Sequence, residues 1–148
     1  MNAATVHKFF LFLKKTHTIF APTRDGGDLY VKPVEQFLDI DFTNRIPINT
    51  FKPVLLPKRE TLFDFQRGKL REPVAEYHPE CGFLMSVVDL KAVGLFHQVF
   101  ERDPYYQRKR QSTLLVGHAW FEGSGFTGHV RDSYEEEFLE HVIFDIML

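Results

Sequence analysis

The sequence predicts an α/β or α+β domain in which helices flank a mixed sheet. Three observations carry that expectation. Short, mainly apolar runs without alternation at 82–88 and 113–116 read as strands buried on both faces. Helical periodicity occurs before, between and after them, so strands and helices alternate along the chain. The composition, 44% hydrophobic and 26% charged over 148 residues, is that of an ordinary globular protein. This length fits a single domain over 1–148 with room for a core. No internal repeat or domain boundary is visible.

Each element has its own signal. Residues 4–15 form the first helix, because Val6, Phe9, Phe10 and Leu13 recur at i, i+3, i+4 and i+7. Lys14 and Lys15 fall in its last turn, where cations suit the helix dipole. A strand over 17–21 stops at Pro22, a glycine turn at 23–28 follows, and 29–34 returns as the second strand of a hairpin. Between Phe42 and Phe65 the chain reads as irregular, since Pro47, Pro53 and Pro57 each remove a backbone donor. After the strand at 82–88, Asp89 caps a helix running to about Phe100, with Val93, Phe96, Val99 and Phe100 inward. Residues 123–128 are a glycine-rich loop. The last helix spans 134–148, with Phe138, Leu139, Val142 and Ile143 on one face. Glu135, Glu136 and Glu137 near its start suit the dipole and require no binding partner.

Composition also bounds function. A net charge of −2 and a sequence pI near 6.4 give no phosphate-tracking surface, so no nucleic acid is expected. The run Phe9-Phe10-Leu11-Phe12-Leu13 is far shorter than the roughly 20 residues of a membrane span. No small-residue cleavage site follows it, which speaks against a signal peptide. Cys81 is the only cysteine, so an internal disulfide is excluded, in keeping with a cytoplasmic location. Sixteen phenylalanines point to a Phe-packed core.

Candidate chemistry is sparse. His118, His129, His141 and Cys81 lack the close spacing of a zinc site. His97 reads as a helix-face residue. Gly123-Ser124-Gly125 does not match the nucleophile-elbow pattern, and no glycine run has the ending of a phosphate-binding loop. Cys81 follows His78-Pro79-Glu80, so a Cys/His pair is conceivable, yet a thiol reacts only when its pKa is depressed. Arg102, Arg108, Lys109 and Arg110, beside Tyr105 and Tyr106, form the one basic cluster, which reads as a solvated helix end.

One ordered set of landmarks reaches further. Asp89-Leu90-Lys91-Ala92-Val93 is followed by Phe100-Glu101-Arg102-Asp103-Pro104-Tyr105-Tyr106, and then by Arg108-Lys109-Arg110-Gln111-Ser112-Thr113-Leu114-Leu115-Val116-Gly117. Upstream stands Pro57-Lys58-Arg59-Glu60-Thr61-Leu62. This series resembles the N-terminal domain of the 4Fe-4S dicluster family, which contains sulfhydrogenase (hydrogenase) beta subunits and anaerobic sulfite reductase A proteins, over about 19–117. The resemblance implies an electron-transfer subunit working between a flavin-bearing partner and a hydrogenase or reductase catalytic subunit. It also implies iron–sulfur ligands beside Asp89 and just after Gly117. Those places hold Val88 and a sulfur-free window from His118 to His129, whereas such clusters are normally held by four thiolates. Cys81 cannot replace Val88, since seven extended residues span roughly 23 Å at about 3.3 Å each.

The family continues into a ferredoxin-like domain rich in Cys-x-x-Cys runs, and the sequence to Leu148 contains none. The chain is therefore expected to be either a truncated frame or a stand-alone degenerate relative. The expected role is a cluster-free scaffold or docking domain in an oxidoreductase complex, not itself catalytic, with no catalytic, cofactor-binding or metal residues of its own. A stand-alone interaction module is the alternative, associating through the 102–110 surface or the acidic C-terminal helix. A small enzyme using Cys81 is the weakest.

Overall fold

In the computed structural model, which describes residues 3–43, 46–56, 59, 61–71, 80–118 and 142–148, the two apolar runs pair as parallel strands inside a five-stranded mixed sheet. Its strands are β1 (Thr18–Asp25), β2 (Asp28–Pro33), β5 (Cys81–Ser86), β6 (Thr113–His118) and β7 (Ile146–Met147), in the spatial order β2-β1-β5-β6-β7. Only the β1–β2 pairing is antiparallel. A separate ribbon joins β3 (Asp64–Gln66) to β4 (Lys69–Arg71).

Helices cover both faces. On one side α1 (Ala3–Leu13) sends Phe10 and Leu13 into a cluster with Ile19, Ala21, Leu84 and Val116. On the other, α2 (Lys52–Leu55), α3 (Val87–Phe100) and α4 (Pro104–Gln111) enclose Phe83, Met85 and Leu115 with Leu55, Leu90, Val93 and Tyr106. Strand alternation explains the partition: Cys81, Phe83 and Met85 point one way, and Leu84 points the other. Phe20 and Phe83, register partners on β1 and β5, stack at 5.0 Å between ring centroids. Burying one such aromatic or leucine side chain is worth about 1.5–3 kcal/mol. The α/β layering with a mixed sheet is thus the expected one.

Several element boundaries differ from the expectation. The first strand runs through Pro22 to Asp25. Pro22 tolerates this because its carbonyl accepts from the Asp41 amide (2.8 Å), so its missing donor faces away from β2. Asp25 and Asp28 close a two-residue turn in which Gly26 and Gly27 have φ of 59° and 96°, the geometry that matches strand twist. The stretch read as irregular contains α2, with Pro53 in its first turn where no donor is needed, and its end runs into β3, the first strand of the ribbon. α1 ends at Leu13, so Lys14 lies just past it and its ammonium reaches the Glu35 carboxylate at 2.6 Å.

The helix after β5 is capped by Ser86, and Asp89 lies three residues inside it. Its buried residues are Val87, Leu90, Val93 and Gly94. Phe96 and Phe100 pack against the core, but Val99 is 74% exposed, contrary to expectation. The helix expected to reach Leu148 does not. Residues 142–145 have no regular structure, and β7 then adds to the sheet edge parallel to β6. Val142 is buried, but outside any helix. The remainder of that expected helix and the 123–128 loop lie outside the described residues. Outside β2, the segment 46–49 runs along the strand: Ile48 donates to the Leu29 carbonyl, and the Asn49 side-chain amide both accepts from and donates to the Val31 backbone at 2.7 Å.

Phe83→Ala should cost about 3–5 kcal/mol in urea-unfolding free energy. Val99→Ala, on the solvent side of α3, should stay within about 0.5 kcal/mol of the parent.

Candidate functional site

The parallel pairing of β5 with β6 sets Ser86 opposite His118 at the carboxyl end of the sheet. Crevices beyond the carboxyl ends of parallel strands are where such sheets commonly carry ligands. The two places singled out by the family resemblance, beside Asp89 and just after Gly117, therefore belong to one edge.

Ser86 ends β5 and begins α3. Its hydroxyl accepts the Asp89 amide at 3.2 Å and donates to the Asp89 carboxylate at 2.8 Å, a reciprocal cap. Burial pushes the Asp89 carboxyl above its ordinary pKa, and the Ser86 hydrogen bonds offset this only in part. Val88, in the first turn, is 41% exposed and presents only methyl groups.

His118 is 4% exposed. The Phe42 ring meets it edge-on at 5.6 Å between centroids, and its Nδ1 has no hydrogen-bond partner among the described residues. Desolvation lowers its pKa to about 4, so it is neutral at pH 7. Phe42 is held there by its neighbours. Asp41 accepts from the Thr43 amide (2.8 Å), the Thr43 hydroxyl and the Arg24 guanidinium, and its own amide donates to the Pro22 carbonyl within β1. Burial alone would raise the Asp41 carboxyl. The hydrogen bonds from Thr43 and Arg24, with the Arg24 charge, outweigh it and hold the pKa below its usual value.

This edge does not fit an iron–sulfur cluster. It offers methyl groups, a hydroxyl committed to a carboxylate, and a buried imidazole, where the cluster needs thiolates. The one thiol, Cys81, opens β5, about 17 Å away along the strand at about 3.3 Å per residue. It is buried, and desolvation raises its pKa, so it keeps its proton. Among the described residues no group of three or more His, Cys, Asp or Glu side chains is placed to hold a metal ion. His118 and Cys81 sit at opposite ends of the sheet; His129, His141 and His78 lie outside the described residues. Nor is there a nucleophile–base pair in Ser86 and His118, because the serine proton is directed at Asp89.

The basic cluster is the expected solvated end only in part: Arg102 and Arg108 are exposed, while Lys109 and Arg110 are tied into the fold. Asp103 caps α4 through the amides of Tyr105 (2.8 Å) and Tyr106 (3.2 Å), with Pro104 at the first helical position. Tyr106 is core, 1% exposed. The Arg108 guanidinium lies over the Tyr105 ring at 4.8 Å. Lys109 is buried, and Arg110 donates to the Thr113 carbonyl and pairs with Asp145. Tyr105 Oη donates to the Leu62 carbonyl at 3.3 Å, joining two landmark segments 43 residues apart. Sequence reasoning missed Phe42, Asp41 and Ser86, since only tertiary contact gives them a role at this edge. His97 lies on the core side of α3 beside Tyr106, their rings 6.0 Å apart.

Comparison of the chain with family models, curated proteins and solved structures finds no match. Among the described residues, no helix is long and apolar enough to cross a membrane.

Two outcomes are expected at this edge. Ser86→Ala should cost about 1 kcal/mol through loss of the cap. His118 has a folded pKa below its unfolded one, so between about pH 4 and 6.5 the unfolded chain binds the extra proton. Its contribution to stability is complete above pH 6.5 and is lost as pH falls toward 4. The loss is of order 3 kcal/mol at about 1.4 kcal/mol per pH unit. Chemical unfolding across this window should show a steeper fall for the parent than for His118→Phe; equal slopes would contradict the assignment.

Proposed function

We propose that this domain is a cluster-free relative of the iron–sulfur electron-transfer subunits it resembles, serving as a scaffold or docking domain in an oxidoreductase complex. The observation that carries the reading is the pairing of Ser86 with His118. It sets both implied ligand positions at one sheet edge, and that edge is furnished with Val88 and a buried, neutral His118 in place of thiolates. The hydrogen bond from Tyr105 to Leu62 supports the same reading, because two of the landmark segments are in contact. With no group here suited to carry an electron, the role left to the domain is to bind partners: a flavin-bearing subunit, or a hydrogenase or reductase catalytic subunit. The cytoplasm is the location in keeping with a lone, protonated thiol.

A second reading is a stand-alone interaction module without a redox partner. It is favoured by exposed apolar side chains at Val88, Leu95 and Val99, on the side of α3 opposite the core. The 102–110 surface is less suited to this role, since Arg110 and Lys109 are engaged within the fold.

Expression under anaerobic conditions with iron and sulfide should yield a colourless protein with far less than stoichiometric iron. A brown protein with stoichiometric iron would sink the cluster-free reading. Cys81→Ser buries a hydroxyl in the core and should lower stability by about 1–3 kcal/mol, but partner binding by the folded protein should be unchanged.

A further inference from the structure

The β3–β4 ribbon stands apart from the layers of the sheet. All six of its strand residues are exposed. Phe65 and Leu70 are register partners, so they share one face, at 73% and 65% exposure. Phe63, just before β3, is 54% exposed. The opposite face pairs Asp64 with Arg71 and Gln66 with Lys69. Arg67 and Gly68 make the tight turn, with φ of 52° and 74°. A two-stranded ribbon alone is marginal in water; this one leaves its apolar face open and is tied to α4 by the Tyr105–Leu62 hydrogen bond.

Charge identifies the occupant. From Asp64 to Arg71 the ribbon carries three cations, Arg67, Lys69 and Arg71, against one anion, while the whole chain is at −2. Aromatic and arginine side chains are enriched in protein-binding surfaces, whose rim is polar. A second copy is disfavoured, because facing ribbons would bring like charges together. Nucleic acid and anionic lipid are disfavoured because three cations on two short strands make a smaller basic cluster than phosphate tracking or headgroup binding uses.

We propose that the β3–β4 ribbon docks a partner protein, laying Phe63, Phe65 and Leu70 into an apolar groove rimmed by Asp and Glu. This rests on the docking role proposed above, but not on the redox identity of the partner.

The test places a photocrosslinker, Phe65→p-benzoylphenylalanine, in the full chain within its native cells, and sequences the crosslinked peptide. The expected product is one protein, joined at an apolar stretch flanked by acidic residues. In lysate its yield should drop about fivefold from low to high salt, as screening of exposed charges requires. Lys69→Glu should lower the yield about tenfold and Lys69→Arg should not, with thermal melting unchanged in both. A crosslink to lipid, nucleic acid, a second copy or a non-acidic surface, a yield insensitive to salt and charge, or no crosslink would overturn the proposal. An acidic partner that is not an oxidoreductase subunit would leave the ribbon's role standing and remove the redox reading.

Discussion

A strand with parallel neighbours on both sides sits inside the sheet, where crossover helices cover both faces, and β5 is such a strand. Its first five residues, Cys81 to Met85, are buried, and its two faces feed the two hydrophobic clusters. Helices must therefore lie above and below it. α1 supplies one cover, and α3 with α4 the other. The sheet end is fixed by the same constraint. Because β5 and β6 run in register, Ser86 and His118 arrive together, and the segment holding Phe42 closes over the imidazole. Close packing limits change here: a side chain at Gly117 would press its first carbon to 2.6 Å from the Leu90 side chain.

The carboxyl edge is accordingly stabilised as a junction between elements. Ser86 ends a strand and caps a helix, Asp89 returns the bond, and Asp41 fastens a third segment beside them. Each polar group is spent on holding backbone in place, except His118 Nδ1, which has no partner among the described residues. The docking role proposed above draws on that distribution. Polar side chains of the described interior mainly build the fold, while exposed apolar side chains on α3 and the ribbon offer surface to others.

Much of the architecture was legible because it rests on local pattern. α1, β5, β6 and the length of α3 follow from periodicity and from apolar runs too short for helices. What was misread depends on neighbours. Pro22 interrupts a strand only if something needs its missing donor, and the sequence does not reveal which side is paired. Asp89 and Ser86 both suit a helix start, and the difference lies in where β5 lets go. Val99 looks inward when a helix carries apolar residues on two sides. The ribbon was invisible because its turn places Arg67, not asparagine or glycine, at positive φ. β7 forms only because β6 presents an edge to it. At the candidate site, the emptiness of the expected ligand positions was legible residue by residue, but their adjacency and the burial of His118 came only from the strand register.

The Asn49 contact with β2 has a consequence beyond local geometry. An open sheet edge displays unpaired amides and carbonyls that can recruit a strand from another molecule. Here the outward amide and carbonyl of Val31 are taken by one asparagine side chain, which imitates a neighbouring strand for a single residue and then stops. At the opposite margin β7 is two residues long, too short to template a growing stack. Among the described residues, then, neither margin of the sheet presents a long run of unpaired backbone to a strand from another molecule.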